Sequence, residues 1–265
     1  QAPLGSLVQD KPSYAGKHIA IDRAQLRARG LLAPDNEERR LAEQYRTIKR
    51  PLLRNADPHM DPRVPRGNLV MVASALSGEG KTFTCMNLCL SIAQERDWSV
   101  VLIDADCSKP HLTRLFGAEN EPGLIDLLRN PQLAFEALVM PTDVPGLSIL
   151  PCGTQDSHAN ELLASRRMDE LCTQLSSDLA SRMIIFDSSP LLQTTEAGVL
   201  AHKIGQVVVV VRANETPQQA VLAALEKLDS TKAIGCVLNQ SWAAPGVADG
   251  YGYGYYGQGE SKSEA

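Results

Sequence analysis

The chain has 265 residues, 43% of them hydrophobic and 22% charged, and carries a net charge of −5. This composition is typical of a soluble globular protein, and the acidic balance argues against nucleic acid as the main partner. No apolar run approaches the roughly 20 residues that span a bilayer. One large domain with appended segments is therefore expected.

Two segments are predicted to precede the core. Residues 1–36 form an irregular arm punctuated by Pro and Gly, with a short strand at 19–21 and a short helix at 24–29. Residues 37–67 comprise a helix over 37–53 and a proline-containing linker over 54–67. The helix is predicted because apolar residues recur at its helical spacing, namely Leu41, Tyr45, Ile48 and Leu52.

Three charged residues of this helix lie three apart and are expected on one face: Glu43, Arg46 and Lys49. They are consistent with a solvated ladder of ion pairs or with a self-association surface. The spacing alone favours the ladder.

Residues 68–241 are predicted to form the core, in which strands and helices alternate. The predicted strands are 69–74, 99–104, 147–150, 182–187, 206–212 and 233–239. The predicted helices are 80–95, about 111–117, about 123–129, more than one across 159–180, 195–202 and 217–228. Val207 to Val211 is apolar on both faces, which indicates a doubly wound, mostly parallel α/β sheet with helices on both sides. Ligands bind such sheets at the carboxyl ends of the strands.

A glycine-rich stretch between the first core strand and its helix predicts a phosphate loop. Two glycines allow main-chain N–H groups to converge on an anion, and a lysine and a threonine follow for the phosphates and Mg²⁺. The general pattern has glycine where Ala75 stands, but a mere helix cap is a poorer explanation because Gly-Lys-Thr falls where strand gives way to helix. The predicted nucleotide-binding residues of this stretch are Ser77, Gly78, Glu79, Gly80, Lys81, Thr82 and Phe83.

Aspartates end two of the predicted core strands. Asp104 and Asp106 close the second strand two residues apart, and Asp187 closes a later one. Each is a potential helix or turn cap, but three at strand ends beside a phosphate loop favour Mg²⁺ binding and proton acceptance. We predict Thr82, Asp106 and Asp187 as metal ligands, and either aspartate of the first pair as the base, with Asp104 preferred.

Two further residues are weaker candidates for nucleotide contact. Arg212 and Asn239 close later strands, where they would contact nucleotide or anchor a loop.

Residues 242–265 are rich in glycine and are predicted to form a disordered tail. Four of the six tyrosines of the chain lie in this tail: Tyr251, Tyr253, Tyr255 and Tyr256.

Together these motifs resemble the bacterial tyrosine autokinases (BY-kinases) of polysaccharide export. The resemblance covers about residue 37 to the end and rests on the stretches 74–82, 103–110 and 184–190 and on the tyrosine-rich tail. It is greatest to the autokinases encoded beside exosortase and exopolysaccharide loci. Residues 43–53 look like the oligomerisation helix of the family, with Lys49 in place of the last arginine of its Glu-x-x-Arg-x-x-Arg motif. Cys107-Ser108 stands where the family often has Leu-Arg.

The resemblance implies an ATP- and Mg²⁺-dependent kinase that phosphorylates its own tail tyrosines and regulates exopolysaccharide polymerisation and export. It implies a ring-like homo-oligomer in which one subunit's tail enters its neighbour's site. A separate membrane adaptor of the chain-length regulator type would hold the cytoplasmic kinase at the inner membrane, and a cognate phosphotyrosine phosphatase would act on the tail.

Two other functions are compatible with the same loop. One is a positioning ATPase of the ParA/MinD type, which carries a signature lysine where Leu76 stands and lacks a tyrosine tail. The other is a nucleotide-binding scaffold of an export complex, which the retained Lys81 and strand-end aspartates disfavour.

Overall fold

The computed structural model describes residues 14–60, 64–177 and 181–241. The helices are α1 (Arg23–Ala28), α2 (Glu38–Ala56), α3 (Lys81–Ala93), α4 (His111–Leu115), α5 (Leu124–Arg129), α6 (Phe135–Leu138), α7 (Ala159–Ala164), α8 (Arg166–Ser177), α9 (Glu196–Lys203) and α10 (Gln218–Leu225). The strands are β1 (Leu69–Ser74), β2 (Ser99–Asp104), β3 (Met140–Pro141), β4 (Leu147–Leu150), β5 (Arg182–Asp187), β6 (Gln206–Arg212) and β7 (Ala233–Asn239).

These strands form one sheet in the order β3-β4-β2-β5-β1-β6-β7. Every pairing is parallel except that of β3 with β4. The predicted doubly wound, mostly parallel α/β fold is therefore confirmed. The parallel register of β2 and β5 sets Asp104 beside Asp187 at the carboxyl ends of the two strands.

Helices bury the sheet on both faces. In β1, Leu69 and Met71 pack into one hydrophobic cluster, whereas Val70 and Val72 pack into a second cluster on the opposite face. All six residues of β1 are buried. This two-sided burial explains why the central strands are apolar throughout rather than alternating.

The described part of the predicted N-terminal arm packs against the core. Ile19, Ile21, Leu26 and Leu31 are buried in the second hydrophobic cluster. The strand expected over 19–21 is reduced to a single bridge between Ile19 and Thr142. Burial of these side chains holds the segment together with main-chain hydrogen bonds, among them Ile19 N to Pro141 O at 2.9 Å and Asp143 N to Ile19 O at 3.2 Å.

Helix α2 confirms the predicted apolar stripe but is longer than expected. Tyr45 and Leu52 are buried, and the helix continues to Ala56, so the first residues of the predicted linker are helical. Pro51 lies inside the helix on its exposed side, where water can satisfy the carbonyl that loses an N–H partner.

The prediction that Glu43, Arg46 and Lys49 share one exposed face is wrong for Lys49. Lys49 is 4% exposed, and its Nζ donates to Ser91 O at 2.5 Å and pairs with Glu95 at 2.7 Å. Glu43 and Arg46 do form an exposed ion pair at 2.6 Å. Three-residue spacing rotates steadily around a helix, which carries Lys49 to the edge of α3.

Smaller differences concern short elements. Helix α6 and strand β3 were not predicted, because elements of four and two residues show no periodicity. The helical region predicted over 159–180 divides into α7 and α8. No helix within the described residues combines the length and apolarity needed to cross a membrane. The predicted tail over 242–265, with its four tyrosines, lies outside the described residues.

Candidate functional site

The predicted phosphate loop joins the end of β1 to the start of α3. Its two glycines adopt left-handed conformations, with φ of 83° at Gly78 and 94° at Gly80. A Cβ atom at Gly80 would lie 2.0 Å from Asn239 Nδ2, so no larger residue fits there without movement. The loop therefore brings main-chain N–H groups to the amino end of a 13-residue helix, a favourable place for an anion.

Lys81 is the first residue of α3 and is held against the loop. Its side chain is buried, and Nζ donates to Ser74 Oγ at 3.0 Å. The Ser74 hydroxyl in turn donates to Leu76 O at 2.6 Å. The ammonium group thus contacts a neutral hydroxyl rather than a carboxylate, and its charge remains available for phosphate.

Thr82 connects the loop to β5. Its hydroxyl donates to Asp187 Oδ2 at 2.7 Å. Burial raises the pKa of Asp187 to about 6, although the hydrogen bond from Thr82 and the charge of Lys81 oppose this shift. The two predicted metal ligands are therefore in contact with each other.

Asp104 lies beside Asp187 and is fully buried. Burial, followed by the charge of Asp187, raises its pKa to about 7. Asp104 Oδ2 accepts two hydrogen bonds from Thr113, from the main-chain N at 2.8 Å and from Oγ1 at 2.7 Å. This carboxyl group changes charge near neutral pH, as a general base requires.

Asp106 is partly exposed and belongs to the same group of charges. Its Oδ1 accepts hydrogen bonds from the hydroxyls of Ser108 and Ser189, both at 2.8 Å, and from Lys109 N at 3.2 Å. The negative charge of Asp106 contributes to the raised pKa of both Asp104 and Asp187. The fold thus gathers the three predicted aspartates at one end of the sheet.

The arrangement suits Mg²⁺ that is shared with phosphates. Asp104 Oδ1 and Asp187 Oδ1 are buried without a hydrogen-bond partner in the described part of the chain, and a cation bound at Asp187 would satisfy the second of these oxygens. Within residues 14–60, 64–177 and 181–241, no cluster of three or more His, Cys, Asp or Glu side chains is spaced to hold a metal. Mg²⁺ commonly takes one or two carboxylates and completes its ligands with phosphates and water.

The Glu79 side chain braces the loop. It is 2% exposed, its Oε2 accepts from Leu76 N at 2.7 Å, and its Oε1 accepts from the Thr216 hydroxyl. Asn239 Nδ2 donates to Glu79 O at 2.9 Å. The Asn239 side chain thus contacts the phosphate loop, and its contact with a nucleotide stays a prediction.

The other predicted nucleotide-binding residues differ in their surroundings. Arg212 pairs with Glu215 at 2.8 Å. The side chain of Phe83 packs against the second hydrophobic cluster, which leaves its main chain for any nucleotide contact.

Sequence reasoning missed three supporting hydroxyl groups. Thr113 positions Asp104, Ser189 contacts Asp106, and Thr216 contacts Glu79. Ser189 follows Asp187 closely in the chain and was within reach of a local argument. Thr113 and Thr216 belong to no sequence motif that would mark them. The packing of α4 and of the loop before α10 brings them to the site.

A glycine-rich loop with a buried lysine, opposed by strand-end aspartates, defines a P-loop nucleotide-binding protein. The family model of the CobQ/CobB/MinD/ParA nucleotide-binding domain matches residues 70–242. The tyrosine-protein kinase YwqD of Bacillus subtilis is 30% identical over 239 residues, which cover 89% of this chain and 94% of YwqD. The chain therefore belongs to the CobQ/CobB/MinD/ParA family and, within it, to the bacterial tyrosine-protein kinases.

Other relatives are much longer than this chain. The tyrosine-protein kinase Wzc of Salmonella typhi is 29% identical over 85% of the chain, which spans 30% of Wzc. The chain spans 24% of the tyrosine-protein kinase Ptk of Acinetobacter johnsonii, to which it is 31% identical over 66% of its own length.

Solved structures agree with this assignment. The kinase domain of VpsO is 30% identical and superposes with a TM-score of 0.63, covering 78% of this chain and 100% of that domain. The kinase domain of the Escherichia coli tyrosine kinase ETK is 27% identical, with a TM-score of 0.60 over 71% of this chain and 73% of that one. The septum site-determining protein MinD of Pyrococcus horikoshii, at 21% identity and a TM-score of 0.50 over 64% of this chain and 69% of that one, shows the shared fold alone.

Proposed function

We propose that this chain is an ATP-dependent protein tyrosine autokinase that phosphorylates Tyr251, Tyr253, Tyr255 and Tyr256. The observation that carries the proposal is the grouping of Lys81 with Asp104, Asp106 and Asp187 around the phosphate loop. The relatives named as tyrosine-protein kinases and the tyrosine cluster of the tail support the choice of acceptor.

The loop and Lys81 bind the nucleotide. Main-chain N–H groups around Gly78 and Gly80 receive the phosphates, and the Lys81 ammonium lies close enough to balance their charge. Thr82, Asp187 and Asp106 would hold Mg²⁺, which neutralises part of the triphosphate charge when bound. The side chains of Glu79 and Asn239 stabilise the conformation of the loop through hydrogen bonds to its main chain.

We assign the base to Asp104. A tyrosine hydroxyl bonds to the γ-phosphorus, the bond from that phosphorus to the ADP oxygen breaks, and the tyrosine proton passes to a carboxylate. Asp104 is suited to accept it because its pKa is about 7 and its Oδ1 has no hydrogen-bond partner in the described residues. Asp106, partly exposed and held by two serine hydroxyls, takes the role of a metal ligand.

The wider setting is proposed from the likeness to the family. We propose that the chain forms homo-oligomers, that one subunit's tail enters the neighbouring site, and that the kinase regulates exopolysaccharide polymerisation and export. We further propose a separate membrane adaptor that holds it at the cytoplasmic side of the inner membrane, and a cognate phosphatase. The relatives that support this setting are named as putative tyrosine-protein kinases, one as EpsB and one as lying in a cps region.

Incubation with Mg-ATP, followed by mapping of phosphate by mass spectrometry, tests the proposal. The parent chain should carry phosphotyrosine at 251–256, whereas Lys81→Met should carry none. Lys227→Met is a matched control, because it removes an exposed lysine just after α10, away from the phosphate loop residues and the strand-end aspartates, and should leave the phosphorylation pattern unchanged.

The alternatives give different results. ATP hydrolysis without phosphotyrosine, both alone and with the adaptor's cytoplasmic segment, would indicate a positioning-type ATPase. Nucleotide binding with neither product under both conditions would indicate a scaffold. Phosphotyrosine that appears only with the adaptor segment would support a kinase that its adaptor activates.

A further inference from the structure

One exposed face of α2 carries a row of arginines that no part of the proposed catalytic site uses. Arg39, Arg46, Arg50 and Arg54 follow one another at intervals of seven, four and four residues, so they lie along one side of the helix. All four are exposed, and the opposite side of the helix buries Tyr45 and Leu52. We call these four residues the arginine stripe.

The stripe has little charge compensation. Its acidic neighbour on the same face is Glu43, which pairs with Arg46 at 2.6 Å. Arg39, Arg50 and Arg54 make no ion pair with any other residue that the structure describes. Both side chains of the Glu43–Arg46 pair are more than half exposed, so this pair contributes little stability and is easily exchanged for another anion.

Guanidinium groups arranged in a row suit a ligand with several phosphates. Each guanidinium presents a planar fork of N–H donors that binds phosphate in a bidentate manner. From Arg39 to Arg54 the helix rises about 22 Å. An extended segment from Tyr251 to Tyr256 spans at most about 18 Å, so several of its phosphates could meet the stripe at once.

The charge of the tail changes in the direction that the stripe requires. Residues 242–265 contain Asp249, Glu260 and Glu264 against Lys262, which gives three negative charges and one positive, or −2. Each phosphotyrosine adds about −1.5 to −2 at neutral pH. Phosphorylation therefore converts a weakly acidic segment into a strongly anionic one.

We propose that the arginine stripe binds the 251–256 segment once its tyrosines are phosphorylated. This inference rests on the proposed autokinase function, because that reaction creates the ligand. Arg46 belongs both to the stripe and to the predicted self-association surface. A bound phosphorylated tail would therefore occupy part of the face of α2 that the predicted self-association surface uses.

A membrane surface is a less suitable partner for this face. Helices that lie on anionic lipid place apolar side chains beside their basic ones, so that the apolar part enters the bilayer. The apolar side of α2 is instead packed against the protein, with Tyr45 and Leu52 buried. The stripe therefore presents charge without an apolar anchor.

Binding of synthetic peptides tests the proposal without requiring kinase activity. A fluorescent peptide of residues 248–265, with phosphotyrosine at 251, 253, 255 and 256, is titrated with phosphatase-treated full-length chain in the absence of nucleotide, after removal of the phosphatase. The same peptide without phosphate and vesicles containing phosphatidylglycerol are measured in parallel. The variant Arg39→Gln with Arg50→Gln removes two unpaired members of the stripe, and Arg29→Gln with Arg166→Gln makes the same charge change at exposed sites elsewhere.

We expect the phosphopeptide to bind at least about tenfold more tightly than the unmodified peptide, and the stripe variant to lose about tenfold. The control variant should change by less than about threefold, and thermal unfolding should show that both variants are folded. Equal losses in the two variants, or no preference for the phosphopeptide, would overturn the proposal. Vesicle binding that is stronger than phosphopeptide binding and is lost only in the stripe variant would assign the face to a membrane instead.

The two proposals can fail separately. A chain that makes no phosphotyrosine but binds the synthetic phosphopeptide through the stripe contradicts the autokinase function alone. A chain that phosphorylates its tail but shows no stripe-dependent binding contradicts the present inference alone.

Discussion

The Thr113 hydroxyl donates a hydrogen bond to Asp104 Oδ2 at 2.7 Å, and the Thr113 main-chain N donates to the same oxygen at 2.8 Å. Cys152 N donates to Thr113 Oγ1 at 2.9 Å, so the hydroxyl receives one hydrogen bond and directs its own proton at Asp104. Both donors favour the charged carboxylate and oppose the rise in its pKa that burial causes.

Thr113→Val should shift the pH dependence of autophosphorylation. Loss of the hydroxyl donor raises the pKa of Asp104 above about 7, so a larger fraction of the base is protonated at pH 6.5. We expect activity at pH 6.5 to fall by about tenfold and to recover towards pH 9. Thr113→Ser keeps the donor and should follow the parent profile. A loss in Thr113→Val that is the same at every pH would show that Thr113 acts on structure rather than on the carboxyl group.

The buried aspartates should make the nucleotide-free chain less stable as pH rises. The pKa of Asp104 is about 7 and that of Asp187 about 6, against an ordinary value of 3.8, so the folded state binds more protons than the unfolded state between these values. The stability that these two carboxyl groups contribute to the folded chain is therefore greatest below about pH 4, and it is lost as pH rises through 6 and 7.

Asp104→Asn removes the part of this dependence that comes from Asp104, while its amide oxygen can still accept from Thr113. We expect the variant to raise the melting temperature of the nucleotide-free chain by several degrees at pH 8 and by much less at pH 5. Asp97→Asn, at an exposed position, is the control and should change neither value. Equal stabilisation at both pH values would mean that the charge of Asp104 is not the cause.

Glu79 should matter for nucleotide affinity because its side chain braces the phosphate loop. Glu79→Ala removes the acceptor of Leu76 N and the partner of the Thr216 hydroxyl, so the phosphate loop loses its brace. Calorimetric titration with Mg-ADP should show affinity about tenfold weaker. Glu79→Gln retains an acceptor oxygen and should lose less. Unchanged affinity in Glu79→Ala would show that the glycines and the start of α3 suffice to shape the loop.

Substitution of Lys49 should affect the stability of the chain, whereas substitution of Arg46 should affect its assembly. Lys49→Met leaves Ser91 O without its buried donor and removes the pair with Glu95, which should lower the free energy of unfolding by about 1–3 kcal/mol in urea. Arg46→Met removes the exposed ion pair with Glu43 and should change the free energy of unfolding by less than about 0.5 kcal/mol. Sedimentation should show weaker self-association in Arg46→Met. Normal assembly of that variant would contradict the predicted oligomerisation surface.

The local patterns of the chain determined much of the fold and part of the site. The strand, glycine turn and helix around Lys81 were predictable because each has its own short-range period or backbone requirement. Asp104 and Asp187 were predictable as site residues because each ends an apolar strand, and the carboxyl ends of parallel strands lie at one edge of a sheet.

Only the tertiary structure decided which partners these residues have. The pairing of β2 with β5 places Asp104 against Asp187, and the packing of α4 brings Thr113 to them. The burial of Lys49 beside α3 likewise depends on how two helices meet. Sequence periodicity reports which face of an element is apolar, but contacts between distant segments follow from register and packing, which no local pattern encodes.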